Sequence, residues 1–189
     1  GVDFGINNLA VDSDGNVYTG AKTDEVRDWY TARRAALQKV GTRSAKKALK
    51  KLADKEARFK NNENHRIAKQ IVERAKDTGR RIALEDLTGI RERTTVRKKD
   101  RPRHSGWAFR QLRSFVEYKA RLLGVSIVLV DPRNTSRRCS ACGHTDKQNR
   151  KNQAEFVCKS CHFSLHADLN AARNIRARAA YKPALKLSS

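Results

Sequence analysis

Four cysteines, and no others, lie within one 23-residue window: Cys139-x-x-Cys142, then fifteen residues, then Cys158-x-x-Cys161. Bridges that staple a small secreted fold are spread along its chain. Two CxxC pairs at this separation instead match a four-thiolate zinc site. Each pair sits on a tight knuckle, and two knuckles supply four sulfurs at the corners of a tetrahedron. Gly143, directly after the first pair, suits the turn that a knuckle requires. Cys139, Cys142, Cys158 and Cys161 are therefore the expected Zn2+ ligands, in a ribbon over residues 137–164. His144, His162 and His166 are spare donors nearby. Within residues 139–161 the large apolar side chains are chiefly Phe156 and Val157, so metal has to stand in for a core. Clustered reduced thiols also point to the cytoplasm.

The rest of the chain is strongly basic. Lys plus Arg is 42 against 20 Asp plus Glu, a formal net charge of +22 with a pI near 10.5. Such a charge calls for a polyanionic partner, nucleic acid first and an anionic membrane surface second. There is no apolar run of the roughly 18 residues that a transmembrane helix needs. The start, GVDFGINNLA, has neither the basic leader nor the apolar stretch of a signal peptide. Residues 33–60 hold eleven Lys or Arg against two acids, and residues 91–104 hold seven against two. Lys46, Lys47, Lys50 and Lys51 in the first segment, and Arg97, Lys98, Lys99, Arg101 and Arg103 in the second, are the candidate phosphate contacts. For the first segment, a solvated helix face accounts for the charge as well.

Before the cysteines, apolar periodicity alternates between strand and helix. Val2, Phe4 and Ile6 alternate, and the runs around Leu9, Val11 and Val17, Tyr18 flank Asp14-Gly15, a hairpin signal. Residues 23–78 read as helix without a proline, broken at Gly41-Thr42 with Thr42 or Ser44 as cap, and again at Asn61-Asn62. Gly79 closes that stretch. Arg81–Leu87 reads as a short buried strand, 91–104 as a loop and Ser105–Leu123 as a helix stopped by Gly124. Val125–Val130 is a run of β-branched residues suited to a strand covered on both faces. After the ribbon, a helix is expected over Leu169–Ala180, with Asp168 at its start. This order predicts an α/β layer fold, a mixed sheet flanked by helices, in the ribonuclease H-like arrangement. The expected divisions are 1–136, the inserted ribbon 137–164, a final helix within 165–180 and a tail, 181–189.

Three acids punctuate that sheet. Asp3 lies on the first strand beside the small Gly5, Glu85 ends the run Ile82-Ala-Leu84, and Asp168 stands where the last helix begins. Singly, each has a plain structural reading, and Asp168 in particular suits a helix N-cap. Together they suggest a cluster, because carboxylates repel unless cations bridge them, and the oxygen donors suit Mg2+ or Mn2+. Two such ions can serve the attacking water and the leaving oxygen of a phosphodiester.

Four segments carry a resemblance: Gly1-Val-Asp3-Phe-Gly5-Ile-Asn-Asn8, Ile82-Ala-Leu-Glu85-Asp-Leu87, the two CxxC pairs, and Asp168-Leu-Asn-Ala-Ala-Arg-Asn-Ile175. As a set, in this order, they resemble the RuvC-type nuclease half of TnpB, the OrfB proteins of prokaryotic insertion sequences, similar to the type V CRISPR effectors. The resemblance covers about residues 1–178. It implies that Asp3, Glu85 and Asp168 hold two catalytic Mg2+ or Mn2+ ions. It also selects Glu85 over its neighbour Asp86. It implies an RNA-guided DNA endonuclease, named transposase for its place in transposons, with DNA and guide RNA as partners in a prokaryotic cytoplasm. The first motif begins at Gly1, without a Met. The chain is therefore expected to be a truncated product or the nuclease portion of something longer, lacking the part that binds guide RNA in the family. The competing expectation is a non-catalytic, zinc-dependent nucleic-acid-binding protein. A pure binder has no use for three carboxylates in a basic groove, since they repel phosphate.

Overall fold

A computed structural model of the protein describes residues 1–5, 8–19, 21–87, 109–152 and 154–180. Loop residues 91–104, with Arg97, Lys98, Lys99, Arg101 and Arg103, lie outside the described residues, as do Ile6, the first residues of the 105–123 helix and the 181–189 tail.

Three short strands open the chain: β1 (Val2–Asp3), β2 (Asn8–Asp12) and β3 (Val17–Thr19). They form one antiparallel sheet in the order β1-β2-β3. The hairpin forms at Asp14-Gly15 as the sequence predicts, and Asp12 fastens it. Its Oδ1 accepts the backbone N–H groups of Asp14 and Asn16 at 3.0 and 2.9 Å. Two helices follow, α1 (Ala21–Val40) and α2 (Arg43–Asp77). Thr42 caps α2, its hydroxyl accepting the N–H of Ala45 at 3.2 Å. The break expected at Asn61-Asn62 does not occur. Helix α2 runs unbroken for 35 residues because Ile67, Ala68, Ile71 and Val72 just beyond are buried in the core, and tertiary packing overrides weak local propensity.

Strands β4 (Ile82–Glu85) and β5 (Ile127–Val130) pair in parallel, in register from Ile82 opposite Ile127 to Glu85 opposite Val130. Helix α3 (Phe109–Leu122) connects them on one side. Period-two alternation sends Ile82, Leu84 and Ile127 into the main core with Leu112 and Val116 of α3 and the buried face of α2. Ala83, Val128 and Val130 face the other way, against Ile175 and Ala179 of the last helix, α4 (Ala167–Ala179). β5 is thus covered on both faces, as its unbroken apolar run requires. Strand β1 lies beside β4. The single mixed sheet expected from the element order is instead two hydrogen-bonded pieces, a three-stranded antiparallel sheet and a two-stranded parallel one. A two-residue β1 is too short to extend the ladder across that seam.

The ribbon stands between β5 and α4 and carries its own hairpin, β6 (Glu155–Val157) paired antiparallel with β7 (Ser164–His166). Phe156 is fully buried there with Cys139, Cys158 and Ala167. Among the described residues no helix is long and apolar enough to cross a membrane.

Candidate metal centres

The four cysteines converge. Their sulfurs all lie within 4.8 Å of one another, with Cys139 and Cys161 at 3.8 Å and Cys142 and Cys158 at 3.6 Å. All four are free thiols. A disulfide would bring two sulfurs to about 2.05 Å. A tetrahedron with Zn–S near 2.3 Å has sulfur–sulfur edges of about 3.8 Å, which is the separation seen. The knuckles repeat one pattern. In the first, the Cys139 N–H donates to His144 O at 2.8 Å and Gly143 N–H returns to Cys139 O at 2.9 Å. In the second, Cys158 N–H donates to Phe163 O at 2.9 Å and His162 N–H returns to Cys158 O at 3.1 Å. The Cys161 N–H also points at the Cys158 sulfur at 3.5 Å, and such backbone donors draw that thiol down to about 6. The spare His144, His162 and His166 are not part of the cluster.

Side-chain amides tie the ribbon to itself and to α4. Asn149, fully buried, donates to Arg137 O and His144 O in the first knuckle region and accepts the Lys159 N–H of the second. Asn170 of α4 accepts the Ser140 N–H at 2.9 Å and donates to Arg138 O at 2.8 Å. Asn174, one turn on, donates to Thr135 O and Arg138 O at 2.8 and 2.7 Å.

The three acids come from three elements, and the charges of Glu85 and Asp168 both act on Asp3. Asp3 ends β1, Glu85 ends β4, and Asp168 lies in the first turn of α4. Asp168 is not the helix cap. His166 takes that role, its Nδ1 accepting the Asp168 N–H at 3.3 Å, so the Asp168 carboxylate is free to turn toward the sheet. It is 8% exposed, and its Oδ2 lies 3.8 Å from where a Cβ on Gly5 would sit. At the other end of β1, a Cβ on Gly1 would lie 2.2 Å from Ala172 O, so only glycine lets that strand approach α4 so closely. Burial, then the charge of Glu85, then that of Asp168, pushes the Asp3 carboxyl up to about 8, and Arg150 opposes the shift. Burial also raises Glu85, against the Thr135 hydroxyl and Arg178. Among the described residues only the cysteines draw ligand atoms all within 4.8 Å; the three carboxylates do not.

Three further side chains reach these acids. Asn8 Nδ2 donates to Asp168 Oδ2 at 2.9 Å, and Thr135 Oγ1 donates to Glu85 Oε1 at 2.5 Å. Arg150, from the ribbon, places Nη2 3.8 Å from Asp168 Oδ1. Asn8 stands inside the first motif, where the residue pattern assigns it no role, and no local signal singles out Thr135 or Arg150. Lys46, Lys47, Lys50 and Lys51 are exposed on the first turns of α2, opposite buried Ala45 and Leu52.

Two family models match the chain: OrfB_IS605, described as "Probable transposase", over residues 1–89, and the Cas12f1-like TNB domain over residues 109–175. Between them they take in most of the chain, with Asp3 and Glu85 under the first and the cysteines and Asp168 under the second. The chain is thus similar to TnpB (OrfB) transposases over its first half and to Cas12f1-like proteins over much of its second. Among relatives, a TnpB-like protein of Methanocaldococcus jannaschii is 30% identical over 173 residues, which is 87% of this chain and 62% of that protein. The CRISPR-associated endodeoxyribonuclease Cas12f1 of Sulfoacidibacillus thermotolerans is 39% identical over 130 residues, 68% of this chain and 29% of the relative. A cryo-EM structure of a Cas12f1-sgRNA-target DNA complex superposes with a TM-score of 0.73 at 26% identity, covering 93% of this chain and 48% of that one. The chain thus spans under a third of that Cas12f1 relative and less than two thirds of the TnpB-like protein.

Proposed function

We propose that the chain is the nuclease portion of a TnpB-type, RNA-guided DNA endonuclease, with an RNase H-like core and a zinc ribbon inserted before its last helix. What supports this reading is that the buried Asp3 carboxyl feels the charges of both Glu85, at the end of β4, and Asp168, in the first turn of α4. A carboxyl raised to about 8, first by burial and then by two acidic neighbours, is a site short of positive charge, and its all-oxygen donors fit Mg2+ or Mn2+. Bound there, a pair of such ions would supply an activated water and a stabilised leaving oxygen for phosphodiester hydrolysis. The protein's own part is to hold three carboxylates from three rigid elements in one place. Asn8 and Thr135 fix two of them through neutral donors, and Arg150 brings a cation to the same edge.

Zinc fits the four thiolates, and its role is structural, because all four ligand positions are filled by cysteine. The exposed Lys46, Lys47, Lys50 and Lys51 hold a nucleic-acid backbone through phosphates without reading sequence. The relatives named for guided cleavage and the Cas12f1 complex with RNA and DNA support the same partners here. The test is cleavage of labelled DNA with Mg2+ or Mn2+, by this chain alone and joined to a family N-terminal portion with guide RNA. Asp3→Ala, Glu85→Ala or Asp168→Ala should each abolish cutting and leave nucleic-acid binding intact. Cutting that survives all three substitutions, or no cutting by the joined protein, overturns the reading.

A further inference from the structure

The chain leaving β5 passes beside the end of β4. Glu85 pairs with Val130, and the Asp86 N–H donates to Val130 O at 2.7 Å. Five residues beyond Val130, Thr135 is only 4% exposed. Its hydroxyl lies 2.5 Å from Glu85 Oε1 and 3.0 Å from Pro132 O. One hydroxyl proton cannot serve both, and the nearer, charged acceptor takes it. The residue is fixed from several sides. Its N–H donates to Pro132 O at 3.4 Å, its C=O accepts from the buried Asn174 amide, and its branched Cβ limits rotation. Asn174 belongs to the helix that carries Asp168.

We propose that Thr135 is a positioning residue for Glu85: it ties down Oε1 and so reserves Oε2 for a divalent cation. This rests on the acid cluster binding metal, as argued above. The chemistry favours a hydroxyl in this place. An arginine or lysine would orient the carboxylate equally well but would compete with the incoming cation. A neutral donor holds the oxygen without cancelling its charge. Because Thr135 is held by Asn174, Glu85 and Asp168 are placed relative to the same helix, although they lie on different elements.

The test is Mn2+ affinity of the full chain, with free Mn2+ read by electron paramagnetic resonance, alongside melting without added Mn2+ or Mg2+. Thr135→Val keeps the branched shape and loses the hydroxyl, and it should weaken Mn2+ binding by about 10- to 100-fold. Thr135→Ala serves the same comparison if the valine variant does not fold. Thr135→Ser should restore wild-type affinity. Glu85→Gln should weaken binding, and adding Thr135→Val to it should cost nothing more. Wild-type affinity in Thr135→Val, or losses that simply add in the double variant, would show Thr135 to be packing alone. Unchanged affinity in Glu85→Gln would instead remove the metal reading on which the proposal rests, and the proposal with it.

Discussion

Gly143 and His162 occupy the same place in the two zinc knuckles. Each stands four residues after the leading cysteine, donates its N–H to that cysteine's carbonyl, and has a left-handed backbone, with φ of 81° and 58°. Glycine adopts this region freely, whereas a side chain costs about 1–2 kcal/mol there, somewhat less for histidine. His162→Gly should therefore keep zinc and leave the ribbon as stable as before or slightly more so. Gly143→Val should cost about 1–2 kcal/mol, because it adds a branched side chain where even a Cβ lies 3.3 Å from the Arg138 guanidinium. Zinc retention under a competing chelator ranks the three proteins.

Zinc removal should unfold the ribbon and spare the core. The ribbon buries little besides Phe156, whereas the main core is built from β1, β2, β4, β5, α2 and α3 without it. Elemental analysis should find one zinc per chain, and Cys158→Ser should lose it. Hydrogen exchange should then show protection lost over residues 137–164 and kept in β4 and β5. Protection lost uniformly would mean that the two parts fold as one unit.

Stability without Mg2+ or Mn2+ should fall as pH rises. Asp3 titrates near 8 in the folded protein against an ordinary 3.8, chiefly through burial. Between those values the folded chain holds a proton that the unfolded chain has released, so each pH unit costs up to about 1.4 kcal/mol from this group. The loss ends once pH passes the folded value. Urea denaturation at several pH values in this window should show the slope in the wild type and a flatter one in Asp3→Asn. Added Mn2+ should flatten the wild-type slope as well.

Asn174→Ala should be more damaging than its size suggests. It leaves the carbonyls of Thr135 and Arg138 without the amide that serves both. At about 1–3 kcal/mol for each buried group left unsatisfied, with Arg138 O keeping its bond from Asn170, the expected cost is roughly 2–3 kcal/mol. Chemical denaturation measures it, and Asn174→Asp, which keeps size but not the donor, should behave like the alanine variant.

Nucleic-acid affinity should depend steeply on salt. On duplex DNA, log affinity falls with log salt by about 0.9 per phosphate contact. Replacing Lys46, Lys47, Lys50 and Lys51 with glutamate should flatten that slope by several contacts. An unchanged slope would mark this face of α2 as merely solvated.

Much of the local order was legible in the residues themselves. Cysteine spacing dictated the ribbon, because four thiolates at two knuckles have one good tetrahedral solution. Asp14-Gly15 announced the hairpin, Gly41-Thr42 the break before α2, and the β-branched run to Val130 a strand covered on both sides. These are short-range matters of backbone preference and side-chain period. The family motifs named Asp3, Glu85 and Asp168, and in the structure the charges of the last two act on the first. What sequence reading missed depends on the path of the whole chain. Helix α2 ignores Asn61-Asn62 because its next turns are buried in the main core, packed against α3. His166 displaces Asp168 as the cap, since β7 delivers its ring to the helix start. Asn8 meets Asp168 across 160 residues of sequence, and Thr135 meets Glu85 across 50. No local propensity encodes such pairs. They exist because the packing of α4 against β1, β4 and β5 brings distant polar groups into hydrogen-bond range, where burial makes an unmet partner costly.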